Sequence, residues 1–214
     1  MAAPVSPVRR LAGPATGLLL ASLGVAAGLL IGSRLTPGDD SAEAGFARDM
    51  ATHHAQAVDM SFMVRDTSTD EELRTLASDI IVTQSTQRGI FMGWLQQWEL
   101  RQASSRPRMA WMPGHTQMTP GTDVPVLMHG MATDAELQRL REARGADAEI
   151  LFLQLMIRHH EGGVIMARAL VAQSDRGEVI QAAKSVEDSQ QAEIVQMAQL
   201  LAARGARPLA SLLE

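Results

Sequence analysis

The chain has 214 residues, a formal net charge of −5 and a pI near 5.7, which argues against nucleic acid, a partner that rewards a basic surface. It has no cysteine, so disulfides and thiolate metal sites are excluded. Tyrosine is absent and aromatics are few. Ala, Leu, Gln and Met favour helices, because straight-chain residues lose little rotamer freedom there, whereas sheets want branched and aromatic side chains.

Arg9 and Arg10 precede an uncharged run, Leu11 to Gly32. At ~1.5 Å per residue it is long enough to cross a hydrocarbon core of ~30 Å. The arginines before it, set against Arg34, Asp39 and Asp40 after it, put the N-terminus inside and the rest outside. Residues 1–34 therefore read as a single-pass membrane anchor through 11–32. The alternative is a cleaved signal peptide, with Gly24 and Ala26 near the cleavage site. Either way the remainder is exported, held at the cell membrane or secreted.

A linker, 35–40, leads to an expected all-α domain over 41–205, with a tail at 206–214. The first helix is predicted from about Ser41 to Arg65. Thr69 with Glu72 has the spacing of a capping box and opens a second helix to about Gln102, along Leu73, Leu76, Ile80, Gln84, Gln87, Phe91 and Leu95. Residues 103–132 are different: Ser104 to Met131 carries four prolines and cannot be one helix. Thr133 with Glu136 then caps a short helix. A long helix follows from about Ala146 to Gln173, Asp175 with Glu178 forms another box, and the last helix ends near Gly205. The expected architecture is a four-helix bundle of two hairpins, 41–102 and 133–205.

The two hairpins repeat each other. Phe46, Met50, His53, His54, Val58 and Met60 recur 106 positions on as Phe152, Met156, His159, His160, Val164 and Met166. At ~100° per residue, Glu43, Phe46, Met50, His53, His54 and Ala57 share one broad helical face, and Glu149, Met156, His159, His160, Gly163 and Met166 take the equivalent places. A pseudo-twofold axis should relate the hairpins and bring the two histidine pairs close together in the core.

A lone histidine on an apolar face is usually a core residue, and methionines at helical spacing are usually filler. Two features point past that reading. The pair recurs with its methionines, and all six histidines lie in the pairs or in the connection. The connection adds Met109, Met112, His115, Met118, Met128, His129 and Met131, expected to form a flexible second site; a Met-rich apolar flap is the alternative. Imidazole and thioether suit copper, Cu(I) above all, with other transition metals possible, whereas Mg or Ca would want clustered carboxylates. Imidazole must be neutral to bind, so a histidine site should weaken as pH falls through about 6.5, while thioether sites hold.

The doubled pattern acid-x-x-Phe-x-x-x-Met-x-x-His-His-x-x-Ala/Gly-Val-x-Met, at Glu43 to Met60 and Glu149 to Met166, resembles domain-of-unknown-function family three hundred and five. So does Gly130-Met131 before an acidic helix. The resemblance covers about residues 41–205. It implies a ferritin-like four-helix bundle, export in many members, and copper binding and tolerance in some. Where the family usually has Asp three residues before the Phe, this chain has Glu43 and Glu149.

Three functions compete. The first is an extracytoplasmic copper protein for buffering, tolerance or delivery, compatible with a homodimer or a copper-accepting partner. The second is a structural or sensory bundle without metal. The third is a ferritin-like metal-dependent oxidase, which would want Glu-x-x-His motifs, and none occurs in the chain.

Overall fold

The computed structural model describes residues 36–115 and 127–213. The apolar run Leu11 to Gly32 and the loop residue Met118 lie outside the described residues. No helix among the described residues is long and apolar enough to cross a membrane. All the described helices belong to one compact unit, Gly38–Glu214.

The described residues of this unit form five helices and no strand: α1 Ala42–Thr67, α2 Glu71–Gln97, α3 Asp134–Glu142, α4 Gly145–Val171 and α5 Gly177–Ala203. α1 packs on α2, α4 on α5, and α1 crosses to α4. The central pair runs antiparallel, as two matched hydrogen bonds show. Ser68, just after α1, donates to Glu149 at the start of α4 (2.6 Å). Ser174, just after α4, donates to Glu43 at the start of α1 (2.7 Å). Both serines and both glutamates are 106 positions apart, so each glutamate ties its own hairpin to the turn of the other. Arg204 adds to one end by reaching Glu149 and Asp70.

Those serines also correct the expected caps. Ser68 accepts from the Asp70 N–H and Ser174 from the Arg176 N–H, which tightens each turn and starts the next helix one residue later than expected. Asp70, not Thr69, caps α2 by accepting from the Leu73 N–H, and α5 begins behind Arg176 with no side-chain cap. The Thr133–Glu136 box forms as expected. α2 stops at Gln97, five residues short of the expected end. Glu99 takes a left-handed φ of 58°, and the Leu100 N–H folds back to the Leu95 carbonyl. This is a Schellman ending. α5 ends in the same way, with Gly205 at φ 70° and Ala206 bonded back to Leu201.

Two apolar clusters fill the unit. One holds Met60, Val64, Leu73, Ile80, Phe152, Met156, Met197 and Leu201. The other holds Phe46, Met50, Phe91, Leu95, Met166, Leu170, Val179 and Val186. Each of these residues has its counterpart, 106 positions away, in the opposite cluster. That exchange is what a pseudo-twofold axis across an antiparallel α1–α4 pair produces.

Candidate metal centre

His53, His54, His159 and His160 are all fully buried. Met50 and Met60, which flank the first pair on α1, belong to different clusters, as do Met156 and Met166 on α4. The four imidazoles therefore form a polar layer between the two apolar clusters. His53 and His159 meet across the helix pair, ring centroids 3.7 Å apart and planes tilted by 32°. The pairs are thus brought together in the core, as their shared inward stripe requires.

The outer ring contacts fix the tautomers. His53 Nε2 donates to the His129 carbonyl (3.0 Å), and His54 Nε2 donates to Gln87 Oε1 (2.8 Å). His160 Nε2 donates to a Glu193 carboxylate oxygen (2.6 Å). All three partners accept, so each ring carries a proton on Nε2, and in the neutral ring Nδ1 is a bare lone pair. None of these Nδ1 atoms has a hydrogen-bond partner in the protein, and neither nitrogen of His159 has one. A histidine that donates one nitrogen to a carbonyl, amide or carboxylate and keeps the other free is arranged as metal-ligating histidines are.

Burial, and next the neighbouring imidazoles, favour the neutral form of His53, His54 and His159. His53 falls to about 4, chiefly through desolvation, opposed by its bond to His129. His54 falls to about 3, through desolvation and then the charge of His53. His159 is held well below the ordinary histidine value by desolvation and by His53 and His160. The expected loss of metal affinity near pH 6.5 is therefore corrected: in the folded protein these rings stay available to far lower pH.

Gln84 and Gln190, 106 positions apart, lie one turn before Gln87 and Glu193 and are buried with neither amide atom partnered; Ser61 Oγ is likewise unpaired. Each unpartnered buried polar atom costs about 1–3 kcal/mol. An apolar core would be more stable, so this layer is not explained by packing.

The sulfurs divide unequally. Met50 and Met166 share their cluster with Met109 and Met128, both buried, and Met112 and Met131 pack against it. Met60 and Met156 lie in the opposite cluster. His115 and His129 face each other in the connection, centroids 5.3 Å apart. The described part of the connection is therefore docked rather than loose, and its sulfurs join those of the bundle. Among the described residues no three His, Asp or Glu side chains are placed to hold a metal by themselves. A metal here would need thioethers or no more than two imidazoles.

The residues that dock the connection were not legible as a motif, yet they carry a signal: they are where the repeat breaks. Asp49, opposite Leu155 in the repeat, accepts from the Met109 N–H (2.7 Å) and the Trp111 indole N–H (2.9 Å); burial raises its carboxyl. Gly45, opposite Leu151, lies under the Trp111 ring, where a Cβ would come within 2.3 Å. Gln56, opposite Gly162, exchanges two hydrogen bonds with the Ala132 backbone. Gly162 itself faces the His129 carbonyl, 2.0 Å from where a Cβ would sit. Gly130 takes a φ of 75°, and its own added Cβ would meet the Arg158 carbonyl at 2.4 Å. The connection lies this close to α4 only because both faces lack side chains.

The sequence pattern of the domain of unknown function DUF305 matches residues 43–201. A DUF305 protein of Streptomyces coelicolor, described as a candidate secreted protein, is 47% identical with a TM-score of 0.73, over 81% of this chain and 99% of that one. A DUF305 fragment from Deinococcus radiodurans is 31% identical at a TM-score of 0.62, over 76% and 96% of the two chains. The protein CopM in its Cu(I)-bound form is 29% identical at a TM-score of 0.56, over 76% and 96%. No curated protein matches the chain. With its doubled histidine motif and most of its length matched, the chain belongs to the DUF305 family.

Proposed function

We propose that this is an exported copper-binding protein whose ferritin-like bundle, 41–205, is anchored in the cell membrane by 1–34 and serves copper buffering, tolerance or delivery. The observation that carries the reading is the set of buried imidazoles with Nε2 tied to an acceptor and Nδ1 left bare. Neutral nitrogen lone pairs beside thioethers form a donor set for a soft cation and a poor one for a hard cation such as Mg. His53, His54, His159 and His160 would supply nitrogen, no more than two of them to any one ion. Met50 and Met166, with Met109 and Met128, would supply sulfur on one side, and Met60 with Met156 on the other. Met112, His115, His129 and Met131 would extend the first of these groups toward solvent as a place of capture, and Met118 of the same connection would be a further sulfur donor. CopM has been crystallised with Cu(I), Cu(II) and Ag, which supports copper or silver as the ion; the secreted description of the Streptomyces relative supports export.

The test is competition against a chromophoric Cu(I) chelator at pH 7 for wild type and the double variant His53→Ala/His159→Ala. Loss of tight binding in the variant supports the site, and unchanged binding refutes it. The metal-free structural bundle keeps one specific support, the lack of three converging His, Asp or Glu side chains among the described residues. It predicts that unchanged binding.

A further inference from the structure

We propose that Glu193 sets the charge the histidine layer can hold and so matches it to a single monovalent soft cation, with Gln87 keeping the opposite side neutral. This deepens the copper reading of the layer and rests on it. The two halves of the layer differ in the connection, which gives His53 the His129 carbonyl and leaves His159 without a partner, and in the side chain that meets the outer histidine of each pair. His54 and His160 are 106 positions apart, and so are their partners, Gln87 on α2 and Glu193 on α5. His54 meets an amide oxygen at 2.8 Å and His160 a carboxylate oxygen at 2.6 Å. Gln and Glu have the same shape and present the same acceptor here. What distinguishes these two contacts is one negative charge.

The other carboxylates beside the histidines in the chain have their oxygens bonded away from the layer. Gln84, Gln190 and the flanking thioethers are neutral. Glu161, next to His160 in the chain, is taken by Ser211 Oγ and the Leu212 N–H. Asp49, one turn before His53, is held by the Met109 and Trp111 N–H groups and faces Arg48 and Arg108. Among the described residues Glu193 is the carboxylate bonded to a layer imidazole. An unbalanced cation in a buried site carries a large desolvation cost. One carboxylate at hydrogen-bond range balances a charge of +1 and leaves a divalent ion uncompensated. It also makes the His160 nitrogen a better donor than that of His54.

The experiment uses the full chain as wild type, Glu193→Gln, Gln87→Glu and the double exchange carrying both. Every variant keeps an acceptor for its histidine, so the hydrogen bonds and the fold are conserved. Cu(I) and Ag(I) affinities are read by competition without oxygen, Cu(II) affinity by competition in air, and the Cu(II)/Cu(I) midpoint by voltammetry. Silver separates charge from the oxidation chemistry of copper. Wild type should bind Cu(I) more tightly than Cu(II). Glu193→Gln should weaken Cu(I) and Ag(I) at least tenfold and Cu(II) by more, raising the midpoint. Gln87→Glu should favour Cu(II) over Cu(I) by at least tenfold, lowering the midpoint by about 59 mV for each factor of ten. The double exchange restores the net charge and should return the midpoint to that of wild type. Unaltered affinities and midpoints in all three, with binding still lost in His53→Ala/His159→Ala, overturn the role of Glu193 and leave the copper reading standing. A double exchange that keeps the Glu193→Gln midpoint also overturns it, since net charge then decides nothing. Unchanged binding in the histidine variant overturns the copper reading, and this inference with it.

Discussion

Replacing Gly162 with Ala should loosen the connection from the bundle, whereas its neighbour Gly163 should tolerate the same change. A Cβ on Gly162 would lie 2.0 Å from the His129 oxygen, 2.3 Å from its carbon and 2.7 Å from the Gly130 nitrogen. Ordinary contact begins near 3.4 Å, so this backbone must retreat by roughly 1.4 Å. The retreat breaks the His53–His129 hydrogen bond, which costs about 1 kcal/mol, and overpacking adds about 1–3 kcal/mol. Ala is the better helix former by about 1 kcal/mol, so the net loss is about 1–3 kcal/mol. For a chain of this size each 1 kcal/mol lowers Tm by about 2–4 °C. A Cβ on Gly163 would meet only the movable end of Gln190, and the first hairpin already has Ala57 beside Gln84 at these positions. Gly163→Ala should change stability by less than about 1 kcal/mol. The assays are urea titration and amide exchange of Ala132, whose N–H donates to Gln56 and should lose protection only in Gly162→Ala. A Gly162→Ala protein more stable than wild type, with Ala132 still protected, would show that the close approach does not hold the connection down.

Acid should destabilise the metal-free protein well above the carboxylate range. His53 falls from 6.5 to about 4 on folding, so its contribution is complete above pH 6.5 and is lost as pH falls from there towards 4. For this one group the loss is about 2 kcal/mol at pH 5, with His54 acting in the same direction, and urea midpoints at pH 7 and 5 would reveal it. Asp49→Leu, which gives α1 the residue that α4 has at Leu155, should leave the Met109 and Trp111 N–H groups unpaired, destabilise the protein by about 2 kcal/mol and shift tryptophan emission to the red. Ser68→Ala and Ser174→Ala should each cost about 1 kcal/mol. They sit at opposite ends of the α1–α4 pair, so the double variant should show the sum; a large coupling in denaturant titrations would contradict independent clamps.

The sequence alone determined the two hairpins, the shared inward face of the histidines and their duplication, because helical periodicity and identity at a fixed spacing are local properties. It made the stop at Gly205 readable, since Gly enters the left-handed conformation freely, but not the matching stop at Glu99, where a non-glycine residue takes the same conformation under tertiary constraint. Only the tertiary structure decided which sulfurs share a cluster. Met109 and Met128 reach the cluster of Met50 and Met166 because Asp49, Gln56 and Gly162 dock the connection. These are contacts between residues scores of positions apart, and no periodicity records them. The same holds for the layer itself. The stacking of His53 on His159, and the carboxylate on His160 where His54 has an amide, arise from antiparallel packing about a pseudo-twofold axis. That packing turns two copies of one helix face into a single buried polar layer.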